Sequence, residues 1–276
     1  MAATDPSFSS VRYLPTDEAY DRWAAIYDTD GNFLQAIDSI EMKTLFPRLI
    51  ASIESPRPWR IVDLGCGTGR NTALLLNVPD AEIIALDASR GMLDVAKSRL
   101  SPPPPSASAE DDSGGVPTKE DNSTSQTRTL RFEIFDLLSA PASPEFAQRA
   151  DAVISTLVVE HVPLAVFFSH VSRLLKRGGV LLLTNMHAHM GSISQAGFVD
   201  AATGEKIRPT SYAHTVQDVV AEARRWGLEV EEGPGGGVEE RTVEEGMVER
   251  LGPRSAKWVG ITCWFGGLFR KVEDAS

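Results

Sequence analysis

Cysteine is scarce: Cys66 and Cys263 are the only two in 276 residues, too few for a disulfide framework. Cys66 also falls inside a glycine-rich turn, which takes it out of any structural bridge. No apolar run approaches the roughly 20 residues that cross a bilayer. The opening Met-Ala-Ala-Thr-Asp-Pro lacks the basic-then-apolar pattern of a secretory signal. A reducing, cytosolic setting is therefore expected, with no membrane partner. Cations are short as well: 27 Lys and Arg against 38 Asp and Glu leave a net charge of −11. Nucleic-acid binders carry a basic face, so no DNA or RNA partner is expected. No cysteine–histidine spacing supports a metal site, and none is expected. The 42% hydrophobic content supports a sizeable core, and the length suits one large α/β domain with an added segment.

What is present is organised around residues 60–72, Arg-Ile-Val-Asp-Leu-Gly-Cys-Gly-Thr-Gly-Arg-Asn-Thr. Ile61, Val62 and Leu64 read as a short buried strand. Gly65, Gly67 and Gly69 read as a tight turn, and Arg70 to Leu76 as the opening of a helix. Glycine permits positive φ and lets backbone N–H groups approach a ligand closely. Strand, glycine turn and helix are the first unit of a nucleotide-binding α/β sheet. A second strand, Ile83 to Leu86, ends in Asp87, where an acid suits the two hydroxyls of a ribose. The glycine spacing is G-x-G-x-G, not the dinucleotide G-x-G-x-x-G. Asp63, beside the turn, would repel a pyrophosphate and suits an α-ammonium group. Together these residues fit S-adenosylmethionine better than NAD. A NAD-dependent oxidoreductase, which would share the sheet and the ribose acid, is the disfavoured rival.

The run Val62-Asp63-Leu64-Gly65-Cys66-Gly67-Thr68-Gly69, followed by Leu86-Asp87-Ala88-Ser89 and Met92-Leu93, resembles the class I S-adenosylmethionine-dependent methyltransferases. The resemblance covers about residues 20–185. It implies an α/β fold: a Rossmann-like, seven-stranded, mostly parallel sheet with its last strand antiparallel, helices on both faces and an N-terminal helical lid. It implies contacts to S-adenosyl-L-methionine from Tyr27, from Asp63, Gly65, Cys66, Gly67 and Gly69, and from Asp87, Ala88 and Met92. Asp136 and Leu137 complete that set, with Asp136 at the adenine amino group. The stretch Tyr27 to Gln35, taken with Gly65 to Asn71 and Arg208 to His214, is similar to the freestanding N-methyltransferases of gliotoxin-type diketopiperazine pathways in fungal secondary metabolism. That similarity implies a small, partly apolar acceptor methylated at an amide nitrogen. O- or S-methylation of another small metabolite and a non-catalytic cofactor-binding subunit are the alternatives. The oligomeric state stays open.

Along the chain, residues 1–16 are polar and expected to be mobile, 17–55 to form the helical lid, and 56–276 the methyltransferase domain. Tyr20, Trp23, Ala24 and Tyr27 recur at helical spacing, and Phe33 to Leu49 resumes it after a turn. Trp23 reads as core; Tyr20 and Tyr27 read as either core or lid. A helix is expected over 90–100. The Pro-, Ser- and Asp-rich stretch 101–127 cannot bury enough surface to offset chain entropy and reads as a disordered insertion. Leu130 to Phe135 and Asp151 to Ser155 are the third and fourth strands. Residues 164–176 form a helix closed by Lys176-Arg177-Gly178-Gly179, and Val180 to Asn185 is the fifth strand. Thr215 is the N-cap of a helix from Val216 to Trp226. Leu228 starts a sixth strand, 233–237 is a loop, Val243 to Leu251 is a helix and Lys257 to Phe269 the final strand.

The end of the fourth strand carries Glu160-His161 and lacks the Asp/Asn-Pro-Pro-Tyr/Phe run shared by DNA adenine methyltransferases of this class. Small-molecule members of the resembled family commonly have a histidine there, facing cofactor or acceptor. Residues 186–214 are the substrate-side segment, with His187, His189 and His214 near the edge where open α/β sheets bind ligands. Histidine titrates near neutrality, as a general base must. His161, His187 and His214 are the candidate bases, with Glu160 behind them; a packing or capping role is the alternative. Displacement at a sulfonium asks the protein mainly to align a small-molecule acceptor and exclude water.

Overall fold

The computed structural model describes residues 11–101, 129–232 and 237–273. In chain order, β1 (Val11–Tyr13) leads into α1 (Thr16–Trp23) and α2 (Phe33–Ser52). Then follow β2 (Trp59–Leu64), the short α3 (Thr72–Leu75), β3 (Ala81–Asp87), α4 (Arg90–Leu100) and β4 (Thr129–Ile134). The next run is β5 (Ala150–Thr156), α5 (Leu164–Leu174) and β6 (Leu175–Met186). An excursion through α6 (Ala188–Ile193), β7 (Phe198–Val199) and β8 (Lys206–Arg208) precedes α7 (Val216–Arg225). The chain closes with β9 (Leu228–Val230), β10 (Glu239–Thr242), α8 (Val248–Leu251) and β11 (Thr262–Lys271).

The main sheet runs β10-β11-β6-β5-β2-β3-β4, with β9 also paired to β11. Strands β2 to β6 are mutually parallel and β11 is antiparallel to β6. From β2 the chain steps through β3 to β4 on one side and through β5 to β6 on the other. The ends of β2 and β5 therefore form a switch point, where open α/β sheets place their ligands. Alternation along the strands sorts the core onto two faces. Ile61, Ile83, Ile154 and Leu182 join the cluster under α2, and Val62, Ile84, Val153 and Leu181 join the cluster with Phe167, Phe168 and Val219 of α5 and α7.

The seven expected strands are present with the last antiparallel, and β10 is added beside β11. The N-terminus departs from expectation. Val11–Tyr13 is a strand: it pairs in parallel with Lys206–Arg208, within a separate three-stranded sheet ordered β1-β8-β7. Nor do both N-terminal helices form a lid. α2 buries Ile37, Met42, Leu45 and Leu49 against the main sheet. The lid is α1 on the small sheet, held by Leu14, Ala19, Trp23, Phe198 and Ile207. Four boundaries also shift. The helix expected at Arg70 to Leu76 shrinks to Thr72–Leu75, just ahead of Pro79. The helix expected over 164–176 stops at Leu174, because Leu175 pairs with Ala150 and opens β6. The apolar run from Lys257 begins as a 3-10 turn, Pro253–Trp258; Gly260 then bends the chain at φ 83° before the strand starts at Thr262. The helix expected from Val243 starts only at Glu245, as a 3-10 turn feeding α8. Residues 1–10, residues 102–127 of the insertion and 233–236 of the expected loop lie outside the described residues.

Candidate active site

The glycine turn after β2 is fastened to the end of β3, since Gly65 N–H and Cys66 N–H both donate to the Leu86 carbonyl at 2.8 and 2.9 Å. A Cβ on Gly65 (φ 75°) would lie 2.3 Å from Val158 Cγ2, and one on Gly69 (φ 81°) 2.9 Å from Leu100 Cδ1. Those two glycines let the turn, the end of β5 and α4 approach one another. Asp87 closes the arrangement: its carboxylate accepts Gly67 N–H at 2.7 Å and Ser89 N–H at 2.9 Å. Burial pushes that carboxyl up to about 6, against the pull of the backbone donors.

These groups border a cavity of about 710 Å³, its open mouth included. Of the residues expected at the cofactor, Tyr27, Gly65, Gly67 and Asp87 line it, as do Ala88, Met92, Asp136 and Leu137. Asp136 also accepts Leu138 N–H at 2.9 Å and the Ser139 hydroxyl. Asp63, Cys66 and Gly69 do not line the cavity. The Asp63 carboxylate is buried and accepts the Thr72 hydroxyl at 2.6 Å, so it ties β2 to α3 instead of facing a ligand; burial pushes it up to about 6. Cys66 packs against Ala85 and Leu93, and burial raises its thiol well above the usual range.

The lid is latched over this cavity at two carboxylates. Asp21 accepts the Ser89 hydroxyl at 2.6 Å and Gly91 N–H at 2.8 Å, at the start of α4. Asp28 accepts the Thr68 hydroxyl at 2.9 Å and pairs with Arg99. Tyr20 and Tyr27 reach the cavity wall, while Trp23 stacks on Phe198 with ring centroids 5.1 Å apart. Trp23 is core, as expected, and the two tyrosines both pack against its cluster and line the cavity.

The three candidate bases separate. His161 is buried and lines the cavity. Its Nδ1 lies 2.7 Å from the Thr210 carbonyl, which can only accept, so Nδ1 carries hydrogen and the neutral ring presents a lone pair at Nε2. Tyr20 donates its hydroxyl to that Nε2 at 2.8 Å, and burial keeps the phenol well above its usual range and therefore a donor. His187 lies elsewhere: Nδ1 accepts His189 N–H at the start of α6 and Nε2 is 3.6 Å from Glu240. His214 donates from Nε2 to the Val162 carbonyl at 2.9 Å and stacks on Tyr212. The structure thus brings only His161 of the three to the cavity, and gives the other two capping and packing roles.

A second pocket, about 770 Å³ with its mouth, shares Tyr20, Tyr27 and Leu157 with the first. It carries Glu160, Asp30, Lys206, Arg254 and Lys257 among apolar walls that include Phe33, Met186 and Trp258. Burial, and then the charges of Arg208, Lys257 and Arg254, lower the Lys206 amine from its usual value, so these cations act on one another. Sequence reasoning missed Leu157, Arg254 and Lys257. The two cations come from a 3-10 turn about 230 residues beyond the lid, and no local pattern marks them. Thr16 was also missed; its Oγ1 is buried on the first cavity without a hydrogen-bond partner among the described residues.

The first cavity fits an adenosyl group. Asp87 keeps lone pairs beyond the two it uses, Thr16 offers an unused hydroxyl, and Gly67 (φ 55°) has open space where a Cβ would stand. A family model described as a methyltransferase domain matches residues 62–183. An uncharacterised methyltransferase of Emericella nidulans is 46% identical, over 93% of this chain and 91% of its own length. The chain belongs to the class I S-adenosylmethionine-dependent methyltransferases, and its cofactor is S-adenosylmethionine. A trans-aconitate 2-methyltransferase of Methylobacterium radiotolerans is 28% identical over 64% of each chain. The fold is similar to that of the DhpI–SAH complex, with a TM-score of 0.56, 18% identity, and coverage of 92% of this chain and 94% of that one.

Proposed function

We propose that this enzyme methylates a carboxylate oxygen of a small organic acid. The observation that carries the reading is the set Lys206, Arg254 and Lys257 in the pocket that adjoins the cofactor cavity across Tyr20, Tyr27 and Leu157. Asp30, which lines the same pocket, is already engaged by Trp23 Nε1 at 2.9 Å, Asn32 N–H at 3.0 Å and Arg254. Three cations thus stand in the pocket against two carboxylates, Asp30 and Glu160. A similar protein named for trans-aconitate, itself an acid, accords with this.

S-adenosylmethionine, when bound, supplies a methyl group already activated on a sulfonium. Asp87 would hold the ribose hydroxyls, Gly67 would let the backbone approach, and Met92, Asp136 and Leu137 would bound the adenine. A carboxylate is ionised near neutrality and needs no base. The protein's part is then to hold the acceptor in line and keep the site dry. The cations would fix the acid, and α1 with its aromatic cluster would exclude water. His161 and Tyr20, hydrogen-bonded to each other, would order the wall between the two pockets.

One observation favours a second reading. The lone pair on His161 Nε2 could take a proton from an N–H acceptor once Tyr20 yields it. That supports methylation of an amide nitrogen in a diketopiperazine-type acceptor, and with it a role in fungal secondary metabolism. Incubation with methyl-labelled cofactor, against small di- and tricarboxylic acids and against cyclic dipeptides, separates the two. A product whose label is released by mild alkali is an ester and supports the first reading. An alkali-stable N-methyl product refutes it.

A further inference from the structure

We infer that Glu160 selects, among small acids, those that also carry a hydrogen-bond donor: hydroxy acids or amino acids. The inference rests on the reading that the acceptor is an acid. Glu160 sits in the 3-10 turn Val159–His161, is 3% exposed and lines the acceptor pocket. Its backbone is fixed, with its N–H on Asn185 Oδ1 at 3.2 Å and its carbonyl accepting Tyr212 N–H at 2.6 Å. Its carboxylate is not. Oε2 is buried and has no hydrogen-bond partner among the described residues. Oε1 lies 3.3 Å from His161 Nε2 and has that ring beside it, so the oxygen left without a donor is Oε2.

A buried carboxylate oxygen left without a donor is unfavourable, and a ligand that brings one relieves it. Asp30, the pocket's other acid, has its donors already. An acid held by Lys206, Arg254 and Lys257 with only carboxylates to offer would set like charge beside Glu160. A hydroxyl or ammonium on the same skeleton turns that repulsion into a charge-assisted hydrogen bond. The pocket thus joins an anion site to a donor site.

The test is calorimetric titration of the enzyme saturated with S-adenosylhomocysteine, using acids that differ only in the donor. Succinate, malate and aspartate form one series; tricarballylate and citrate form another. Malate or aspartate should bind at least about tenfold tighter than succinate, and citrate tighter than tricarballylate by a similar factor. Which of malate and aspartate leads tells a hydroxyl donor from an ammonium. Glu160→Leu should bring each ratio to about one while leaving affinity for S-adenosylhomocysteine unchanged. Equal affinities within both series for the wild type, or ratios that survive in Glu160→Leu, overturn the role of Glu160 and leave the acid reading standing. If no acid binds the wild type, the acid reading falls and this inference falls with it. The wild-type series needs no variant, so a misfolded substitution does not blunt the test.

Discussion

Replacing Asp87 with alanine should weaken binding of S-adenosylhomocysteine by about 1–3 kcal/mol, roughly five- to 150-fold. A carboxylate offers about four lone-pair sites. Gly67 N–H and Ser89 N–H occupy two of them at 2.7 and 2.9 Å, which leaves two for a pair of ribose hydroxyls. Truncation removes those two acceptors and strands the two N–H groups. Water entering the cavity can resolvate part of what is lost, which holds the figure below the full sum for charged hydrogen bonds. The pH dependence gives an independent check. Burial sets the Asp87 carboxyl at about 6, so it is ionised in mildly alkaline buffer and protonated well below that value. Wild-type affinity should therefore fall as pH drops through about 6, by at most about tenfold per unit, and the component due to Asp87 should vanish in the alanine variant. Isothermal titration of both proteins on either side of that pH measures it. An alanine variant within twofold of wild type, or one with an unchanged pH profile, would refute the assignment.

Asp63 bears on stability. Its folded value of about 6 lies above the ordinary 3.8, so its contribution is fully present below about pH 4 and is lost as pH rises through 6. The loss is on the order of 2–3 kcal/mol; the urea midpoint of the cofactor-free protein should drop across that window and drop less steeply in Asp63→Asn, where only the share of Asp87 remains, and an identical profile in the variant would contradict the account. Asp38 is fully buried and accepts from Trp264 Nε1 at 3.0 Å, Arg70 at 2.7 Å and the Thr184 hydroxyl. Asp38→Ala should cost about 3–5 kcal/mol in chemical denaturation, because it leaves a cation and two buried donors unpaired; a loss under about 1 kcal/mol would show that the network relaxes. Asp21→Ala unlatches α1 from the start of α4. Release of S-adenosylhomocysteine in stopped flow should quicken several-fold, and an unchanged rate would show that the lid is held elsewhere.

The cofactor cavity was legible because its signals are local. Strand, glycine turn and terminal acid lie within about 30 residues, and short-range geometry carries Gly65, Gly67 and Asp87 to one edge. Asp63 lies off the cavity because its place depends on Thr72 and on burial, neither of which a turn motif records. His187 and His214 lie off it for a related reason: a backbone N–H takes the Nδ1 of one and a backbone carbonyl the Nε2 of the other, and neither partner has a sequence signature. The run from Lys257 looked like continuous strand, but positive φ at Gly252 and Gly260 brackets a turn that buries Trp258 against Phe33 and brings Lys257 to the acceptor pocket. The small sheet was invisible for the same reason: Val11–Tyr13 has no partner nearer than Lys206–Arg208.

That long-range pairing bears on how such a fold acquires specificity. The cofactor half is built from consecutive elements of one βαβ series, so its geometry is fixed by the sheet. The second pocket draws walls from α1, from residues 186–214 and from the 3-10 turn at Pro253–Trp258, and none of these belongs to that series. The two halves meet at Tyr20, Tyr27 and Leu157. Leu157 holds φ 59°, a left-handed conformation unfavourable for a branched aliphatic residue, and it is kept there by its N–H on the Thr184 carbonyl at 2.9 Å. Backbone strain of that kind persists where the surroundings over-determine it, and it gathers at functional sites. Leu157 follows β5 and leads the chain into the 3-10 turn that carries Glu160 and His161. The turn that follows it carries Glu160 to one pocket and His161 to the other. Changes in the three outer segments can then retune the acceptor while the cofactor grip stays as it is.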